Sequence, residues 1–131
     1  MANMNNMKPS FLDHIVLIVK DLQKTKDFYS KFLGTPEEKY SDSISYKIGN
    51  TKIFFGLPYK NYVVPDKDAG GFNHLAFGVR TLNELQKFEK VLTDGCIKNS
   101  GIIKEKDSKL DFIWFDDPDG YRLEFYLRLL C

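Results

Sequence analysis

An internal repeat constrains the fold of this chain more than any other feature of its sequence. Residues 74–82 (HLAFGVRTL) align without a gap with residues 14–22 (HIVLIVKDL). Each copy starts with an apolar run typical of a strand and continues with apolar residues at helical spacing, up to Gly34 or Gly95. Because two copies are too few for a solenoid, we expect an α+β fold with two similar modules, each built as β-α-β-β-β.

The other elements of both modules are indicated by alternation and turn signals. Strands are predicted at residues 11–19, 37–40, 43–48, 51–57, 102–104, 110–115 and 121–127, with another opening the second copy at His74, and helices at residues 20–33 and 82–93. At 131 residues the chain is long enough for one domain with its own core. We therefore predict a disordered tail at residues 1–10 and a single domain at 11–131, divided into module 1 (about 11–57), a linker (58–71) and module 2 (about 72–128).

The only two histidines of the chain, His14 and His74, occupy equivalent positions at the start of the repeated strands. The third residue of interest is Glu124, in the middle of the last predicted strand, where an unpaired carboxylate would cost several kcal/mol. Alternation along the strands turns all three side chains away from the helices. Two neutral imidazoles and one carboxylate form a facial ligand set for a divalent metal.

Each of these residues has a simpler interpretation when it is taken alone. A histidine in a strand commonly pairs with a neighbour, as His14 would with Asp13. Glu124 can pair with Arg122, two residues away on the same face. The shared face and the equivalent places in the repeat favour the metal site over these separate pairings.

The last strand of module 1 corresponds to the last strand of module 2. It has Phe54 at the position equivalent to Glu124, so it offers no fourth metal ligand. The remaining site candidates are Arg122, Tyr46, Lys52 and Phe54 for substrate binding and Tyr126 for catalytic proton transfer. The DDPDG sequence at residues 116–120 is predicted to be a surface turn and not a calcium loop, because it contains a proline and leads into a strand.

Charge and hydropathy exclude several classes of partner. Lys and Arg total 19 against 18 for Asp and Glu, so no net field favours nucleic acid or an anionic membrane surface. No apolar run approaches the ~20 residues that span a bilayer. The polar N-terminus lacks the apolar segment of a secretory signal. We therefore expect a cytoplasmic protein with a small-molecule substrate.

Three features together resemble the vicinal oxygen chelate superfamily: the paired modules, the DHIVLIVKDL opening at residues 13–22, and the DPDGYRLE ending at residues 117–124. This superfamily includes glyoxalase I, extradiol dioxygenases, fosfomycin-resistance proteins and bleomycin-binding proteins. The resemblance implies a curled eight-stranded mixed sheet around a metal cleft, with His14, His74 and Glu124 as ligands of one divalent metal, Fe, Mn, Ni or Zn. It also implies a homodimer, which would close apolar sheet edges symmetrically.

By this resemblance the function is that of a metal-dependent lyase, isomerase or dioxygenase that chelates two oxygens of a small molecule and stabilises an enolate or alkoxide charge. Glyoxalase I and methylmalonyl-CoA epimerase use a fourth ligand where this chain has Phe54. Extradiol dioxygenases need a further histidine, and fosfomycin enzymes have a threonine where this chain has Val16. Two alternatives stay open: a binding or resistance protein that uses the same cleft without turnover, and a metal-dependent hydrolase.

Overall fold

The computed structural model describes residues 7–129 and has the element order expected from the repeat. Module 1 contains β1 (His14–Ile18), α1 (Leu22–Leu33), β2 (Glu38–Lys39), β3 (Ser43–Ile48) and β4 (Thr51–Gly56). Module 2 contains β5 (Leu75–Val79), α2 (Leu82–Asp94), β6 (Ile103–Lys104), β7 (Asp111–Asp116) and β8 (Arg122–Leu127). The predicted elements are confirmed, with ends that differ by a few residues at most.

The predicted tail falls mainly on residues 1–6, which lie outside the described residues. Residues 7–10 are exposed and form neither helix nor strand, and the connection at residues 58–71 also contains neither. Over the described range, 7–129, no helix is long and apolar enough to cross a membrane. The cytoplasmic location stays a prediction.

Each module forms its own four-stranded mixed sheet, in the order β1-β4-β3-β2 or β5-β8-β7-β6. In both sheets the first and last strands of the module pair in parallel, and the other pairs are antiparallel. The α+β class with two βαβββ modules is confirmed. Within residues 7–129 the eight strands form two open sheets and not one closed sheet, since no strand pairs across the modules.

Both helices begin at a side chain that caps their free N–H groups. Asp21 accepts a hydrogen bond from the backbone N–H of Lys24 at 3.0 Å, and Thr81 accepts one from the N–H of Glu84 at 3.1 Å. Such a cap typically contributes about 1 kcal/mol. The two caps occupy equivalent places in the repeat, so each module starts its helix at the same distance from its histidine.

One apolar core holds the two modules together. Its inward-facing residues, on the strands or directly after them, include Leu17, Val19, Ile53 and Phe55 from module 1 and Phe77, Val79, Leu123 and Phe125 from module 2, all buried. Phe32 of α1 packs against Phe115 and Phe125 of the second sheet, with ring centroids 5.5 and 5.3 Å apart. Helix α1 therefore contacts both modules, and the outward faces of the two sheets point away from this shared core.

The turn between β7 and β8 has Asp116, Pro118 and Gly120 exposed, as expected of a surface turn, but two of its carboxylates are buried. Asp117 and Asp119 are only 6% and 8% exposed. Asp117 accepts a hydrogen bond from the Tyr29 hydroxyl of α1 at 2.6 Å, and Asp119 accepts one from the backbone N–H of Lys20 at 2.8 Å. The Tyr62 hydroxyl also donates to Asp119, at 2.7 Å. The turn carboxylates thus link module 2 to module 1 and to the connecting loop, a role that turn propensity alone does not reveal.

Candidate metal centre

His74 and Glu124 lie side by side on the outward face of module 2. The Nε2 atom of His74 is 3.6 Å from Oε1 of Glu124, and the two side chains are 42% and 14% exposed. His74 directly precedes β5, and the parallel pairing of β5 with β8 sets Glu124 next to Ala76. The pair opens into a groove of about 710 Å³, called groove 2 below. Groove 2 is lined by His74, Ala76, Gly78, Glu105, Phe112, Glu124, Tyr126 and Arg128.

A hydrogen-bond chain orients the ring of His74. Its Nδ1 atom is 2.8 Å from Oδ1 of Asn73, and the amide nitrogen of Asn73 donates to the carbonyl oxygen of Lys67 at 3.2 Å. Because that nitrogen is engaged with a carbonyl, the amide oxygen faces the ring, and Nδ1 carries the imidazole proton. The lone pair of neutral His74 is then on Nε2, beside Glu124, which is the form that binds a metal.

Burial raises the pKa of Glu124 above its ordinary value, and the charge of Glu105 adds to this rise. The positive charge of Arg122, and that of His74 whenever its ring is protonated, act in the opposite direction. A carboxylate whose ionised form is penalised by burial gains more from a bound cation than an exposed carboxylate does. Module 2 therefore supplies two donors suited to a metal, one imidazole nitrogen and one partly desolvated carboxylate.

His14 holds the equivalent place on module 1. Its Nδ1 atom is 2.8 Å from Oδ2 of Asp13, which leaves Nε2 as the metal-binding nitrogen. The ring of Phe54 packs edge-on against His14, with centroids 5.7 Å apart, so Phe54 faces outward as predicted. Lys52 lies next to His14 across the β1–β4 pair and donates to Glu38 at 2.5 Å. These residues line a second groove of about 720 Å³, called groove 1, together with Phe11, Lys47 and Asn50.

One chain does not bring the three predicted ligands together. His14 lines groove 1, His74 and Glu124 line groove 2, and the two grooves share no lining residue. Among residues 7–129 no group of three His, Cys, Asp or Glu side chains is placed to hold a metal. The physical reason is that each half lies on the outward face of its own sheet. The three-residue site stays a prediction that a single chain does not complete.

The two outward-facing candidates on β8 have different surroundings. Tyr126 lines groove 2, and its hydroxyl is 2.7 Å from Oγ of Ser108. Arg122 donates to Asp116 at 2.7 Å and lies 4.2 Å from the ring centroid of Trp114, outside the lining of groove 2. Arg122 is therefore already paired with Asp116, and the alternative pairing with Glu124 is not formed.

Tyr46 is not a substrate-binding residue, which corrects the prediction. Its side chain is fully buried, and its hydroxyl is 2.8 Å from Oγ of Ser30 on α1. Tyr46 lies opposite Ile53 in the β3–β4 pair, and cross-strand partners share one face of a sheet. Since Ile53 faces the core, Tyr46 does as well.

Comparison with known sequences assigns the family. The sequence profile of the Glyoxalase/Bleomycin resistance protein/Dioxygenase superfamily matches residues 11–125. This chain belongs to that superfamily. The resemblance noted from the repeat and from the DPDGYRLE ending is confirmed.

Similar members of the superfamily include lactoylglutathione lyases. The enzyme of Escherichia coli O157:H7 is 32% identical over 123 residues, which cover 85% of this chain and 87% of that protein. Lactoylglutathione lyase GLX1 of Arabidopsis thaliana is 30% identical over 125 residues, or 88% of this chain and 43% of that protein. The chain thus spans less than half the length of this plant relative. The crystal structure of a putative glyoxalase from Bacillus halodurans has a TM-score of 0.78 and 20% identity, over 91% of this chain and 96% of the other, and shows the same fold.

Members of this superfamily typically use a divalent metal, and the donors of this chain fit one. Both histidines have Nδ1 engaged and Nε2 available, and Glu124 is partly desolvated beside His74. Nitrogen and carboxylate donors of this kind suit first-row divalent metals better than calcium, which prefers an all-oxygen set.

Sequence reasoning missed several residues at the two half-sites. Asn73, which orients His74, could have been found, because it precedes its histidine as Asp13 precedes His14. Glu105 and Arg128 also line groove 2. Alternation places Arg128 on the same face as Glu124 but does not mark it as a site residue, and no motif marks Glu105, which comes from a loop.

Proposed function

We propose that this chain is a divalent-metal-dependent enzyme that acts on a small oxygen-rich molecule, and that two copies of the chain share each metal site. In this arrangement His14 of one copy joins His74 and Glu124 of the other. The observation that carries the proposal is the pair of complementary half-sites, in which each histidine is oriented through Nδ1 and Glu124 adds the carboxylate. Two imidazoles and one carboxylate suit Fe(II), Mn(II), Ni(II) or Zn(II).

A homodimer is supported by the position of the half-sites in one chain. The outward faces of the two sheets point away from the shared core, so the half-sites of one chain cannot meet unless the modules separate. The outward face of module 1 also exposes apolar surface, with Val16 54% and Phe11 55% exposed. A symmetric pair that covers such surface gains about 25 cal/mol per Å² of apolar area removed from water.

When bound, the metal would supply a Lewis acid that chelates two substrate oxygens and stabilises negative charge on them. The side chains of this protein would position the substrate. Ala76 and Gly78 leave space beside Glu124 and Tyr126, and Phe54 keeps water from one side of His14. The Tyr126 hydroxyl, hydrogen-bonded to Ser108, is a candidate to donate or accept a proton at the substrate.

The reaction proposed is of the lyase, isomerase or dioxygenase type, and it differs from that of the lactoylglutathione lyases. Identities of 30–32% to proteins with that name support a related metal site. Phe54 argues against the same reaction, because it lies where four-ligand members of the superfamily have a glutamate or glutamine. A phenyl ring can neither bind a metal nor take a proton from substrate carbon.

A second candidate function is binding or sequestration of a small molecule without turnover. The observation that favours it is also Phe54, since its presence removes the most direct candidate for a catalytic base. The superfamily includes bleomycin resistance proteins by its own description. A screen for turnover of oxygen-rich substrates with Fe(II), Mn(II), Ni(II) and Zn(II) separates the two functions.

Complementation between variants tests the shared site. His14→Ala and Glu124→Ala homodimers should each bind no metal at this site. In a mixed dimer with one chain of each kind, one site lacks both His14 and Glu124 and keeps only His74, and the other site keeps all three ligands. A mixed dimer isolated through two different affinity tags should therefore hold about half the metal of the wild-type dimer.

The control is a mixed dimer of wild-type chains that carry the same two tags, which should hold the full amount of metal. Light scattering should report a particle of twice 15.2 kDa for every sample. A mixed dimer that binds no metal would contradict sharing between chains. A wild-type particle that is monomeric at micromolar concentration would contradict the dimer itself.

A further inference from the structure

Groove 2 continues beyond the His74–Glu124 pair, along strands β5 and β8. In the register of these strands Ala76 lies beside Glu124, and Gly78 lies beside Tyr126. A Cβ atom added at Gly78 would meet no atom of another residue within 4 Å. The floor of the groove is therefore open above β5, and a ligand that starts at Glu124 has space to extend in this direction.

The side wall of this extension is built from fixed aromatic rings. Tyr126 stacks on Phe112, with ring centroids 5.9 Å apart and an interplanar angle of 28°. Its hydroxyl is held by Ser108 at 2.7 Å. Phe112 restricts the plane of the Tyr126 ring and Ser108 restricts the position of its hydroxyl. Groups of a ligand that pack on this ring are therefore also restricted in position.

At the far end of the groove lies Arg128, whose guanidinium is 5.0 Å from the centroid of the Tyr126 ring. Within residues 7–129 no carboxylate oxygen lies within 4.0 Å of this guanidinium, although Arg122 at the start of β8 has Asp116 at 2.7 Å. Besides the proposed ligand Glu124, the lining of groove 2 contains one other carboxylate, that of Glu105. Its carboxylate instead accepts hydrogen bonds from the backbone N–H groups of Asp107 and Ser108, at 2.9 and 2.5 Å.

The geometry points to Arg128 as the binding residue for a carboxylate at the far end of the substrate. The assignment rests on the proposed function, because the other end of the substrate is taken to chelate the metal at His74 and Glu124. Glu124 and Arg128 are four residues apart on an extended chain, which places their Cα atoms about 13 Å apart. The substrate class is therefore an elongated acid with two neighbouring oxygens at one end and a carboxylate at the other.

A carboxylate matches the features of this position. The planar guanidinium can donate two parallel hydrogen bonds to a carboxylate, and charge-assisted bonds of this kind are about twice as strong as neutral ones. The stack on Tyr126 leaves the N–H edges of the guanidinium available, since a cation–π contact uses the face of the group. An alkyl chain between the two ends would lie over Ala76 and Gly78.

The test compares two acids of equal length by isothermal titration calorimetry on the Mn(II)-loaded protein. 2-Oxosuberate and 2-oxooctanoate have the same chelating 2-oxo-acid end, and only 2-oxosuberate has a carboxylate at the far end. Wild-type protein should bind 2-oxosuberate at least about tenfold more tightly, as expected for one charge-assisted contact. Arg128→Gln should lose this preference and keep its affinity for 2-oxooctanoate.

Arg80→Gln is the matched control, since Arg80 is exposed and does not line groove 2. It should keep the wild-type preference. Equal affinities of wild-type protein for the two acids, no binding of either acid, or an equal loss in Arg80→Gln would each overturn the assignment of Arg128. The Mn(II) dependence of both affinities reports separately on the metal site. A preference that remains without Mn(II) would contradict the metal proposal and support the role of Arg128.

Discussion

The outward faces of the two modules have the same backbone and different chemistry. In both modules the histidine strand pairs in parallel with the last strand, and the residue before the histidine orients its ring. At the centre of the last strand, however, module 1 has Phe54 and module 2 has Glu124. Module 1 thus offers a single nitrogen donor at an apolar wall, and module 2 offers a nitrogen and a carboxylate.

The neighbouring cross-strand pairs differ in the same way. Asp116 lies opposite Arg122 in module 2, and the two form an ion pair. Lys47 lies opposite Lys52 in module 1, where like charges repel, and Lys52 is compensated by Glu38 from β2. A repeated backbone can therefore carry unlike side chains at equivalent positions, and in the proposed dimer each metal site would combine one half-site of each kind.

Truncation of Glu124 should weaken metal binding far more than the same truncation of Phe54, which holds the equivalent position in module 1. Glu124→Ala removes one of three ligands and should weaken metal binding by more than about 100-fold, because even the partners of ligands commonly contribute 10–100-fold. Phe54→Ala, the same truncation in module 1, should leave about one metal per chain. Metal analysis after dialysis measures both. Equal metal content in wild-type protein and in a variant that lacks His14, His74 and Glu124 would contradict the site.

The β7–β8 turn provides the next comparison, because it contains two buried carboxylates while the β3–β4 turn at Gly49 and Asn50 is exposed. Burial raises the pKa of Asp117 from its ordinary value of 3.8 to about 6, although the hydrogen bonds from Tyr29 and Tyr121 oppose this rise. The protonated form is thus favoured in the folded state. Its contribution to the free energy of unfolding is complete below pH 3.8 and is lost as the pH rises through about 6.

One pKa unit corresponds to about 1.4 kcal/mol, so the raised pKa of Asp117 should lower the free energy of unfolding by about 2–3 kcal/mol between pH 4 and pH 8. Asp117→Asn, which cannot ionise, should show a smaller decrease over this range in urea denaturation. Asp107→Asn changes an exposed carboxylate and should keep the wild-type profile. Identical profiles for Asp117→Asn and the wild type would show that Asp117 does not titrate in this range.

The smallest expected effect comes from making module 1 resemble module 2. Phe54→Glu adds an anionic ligand to the proposed site and should tighten metal binding by at least about tenfold, or 1.4 kcal/mol. Phe54→Leu, which keeps an apolar side chain, should not change metal affinity. An unchanged metal affinity in Phe54→Glu would show that Phe54 does not lie beside the metal.

Phe54 also leads to a prediction about the reaction. Wild-type protein with Ni(II) or Zn(II) should show no appreciable turnover of the hemithioacetal of methylglyoxal and glutathione. Robust wild-type turnover would mean that another residue acts as the base.

Much of this molecule could be predicted because its signals are local. Alternation in β1, β4, β5 and β8 correctly assigned the inward and outward faces, including the outward position of Phe54. Tyr46 was misassigned, because its face depends on pairing with Ile53 on a neighbouring strand. The burial of the Asp117 carboxylate was also missed, since its partner Tyr29 is 88 residues away in the sequence.

The two modules, their elements and the face of each strand that carries a histidine or Glu124 could all be predicted from the amino-acid sequence. These follow from periodicity and from the repeat, which act over a few residues at a time. Which side chains meet depends on the packing of the whole chain. His74 lies beside Glu124, because β5 and β8 are neighbours in one sheet. His14 lies apart from them on another sheet, because the common core is built from the inner faces and turns both outer faces away from it.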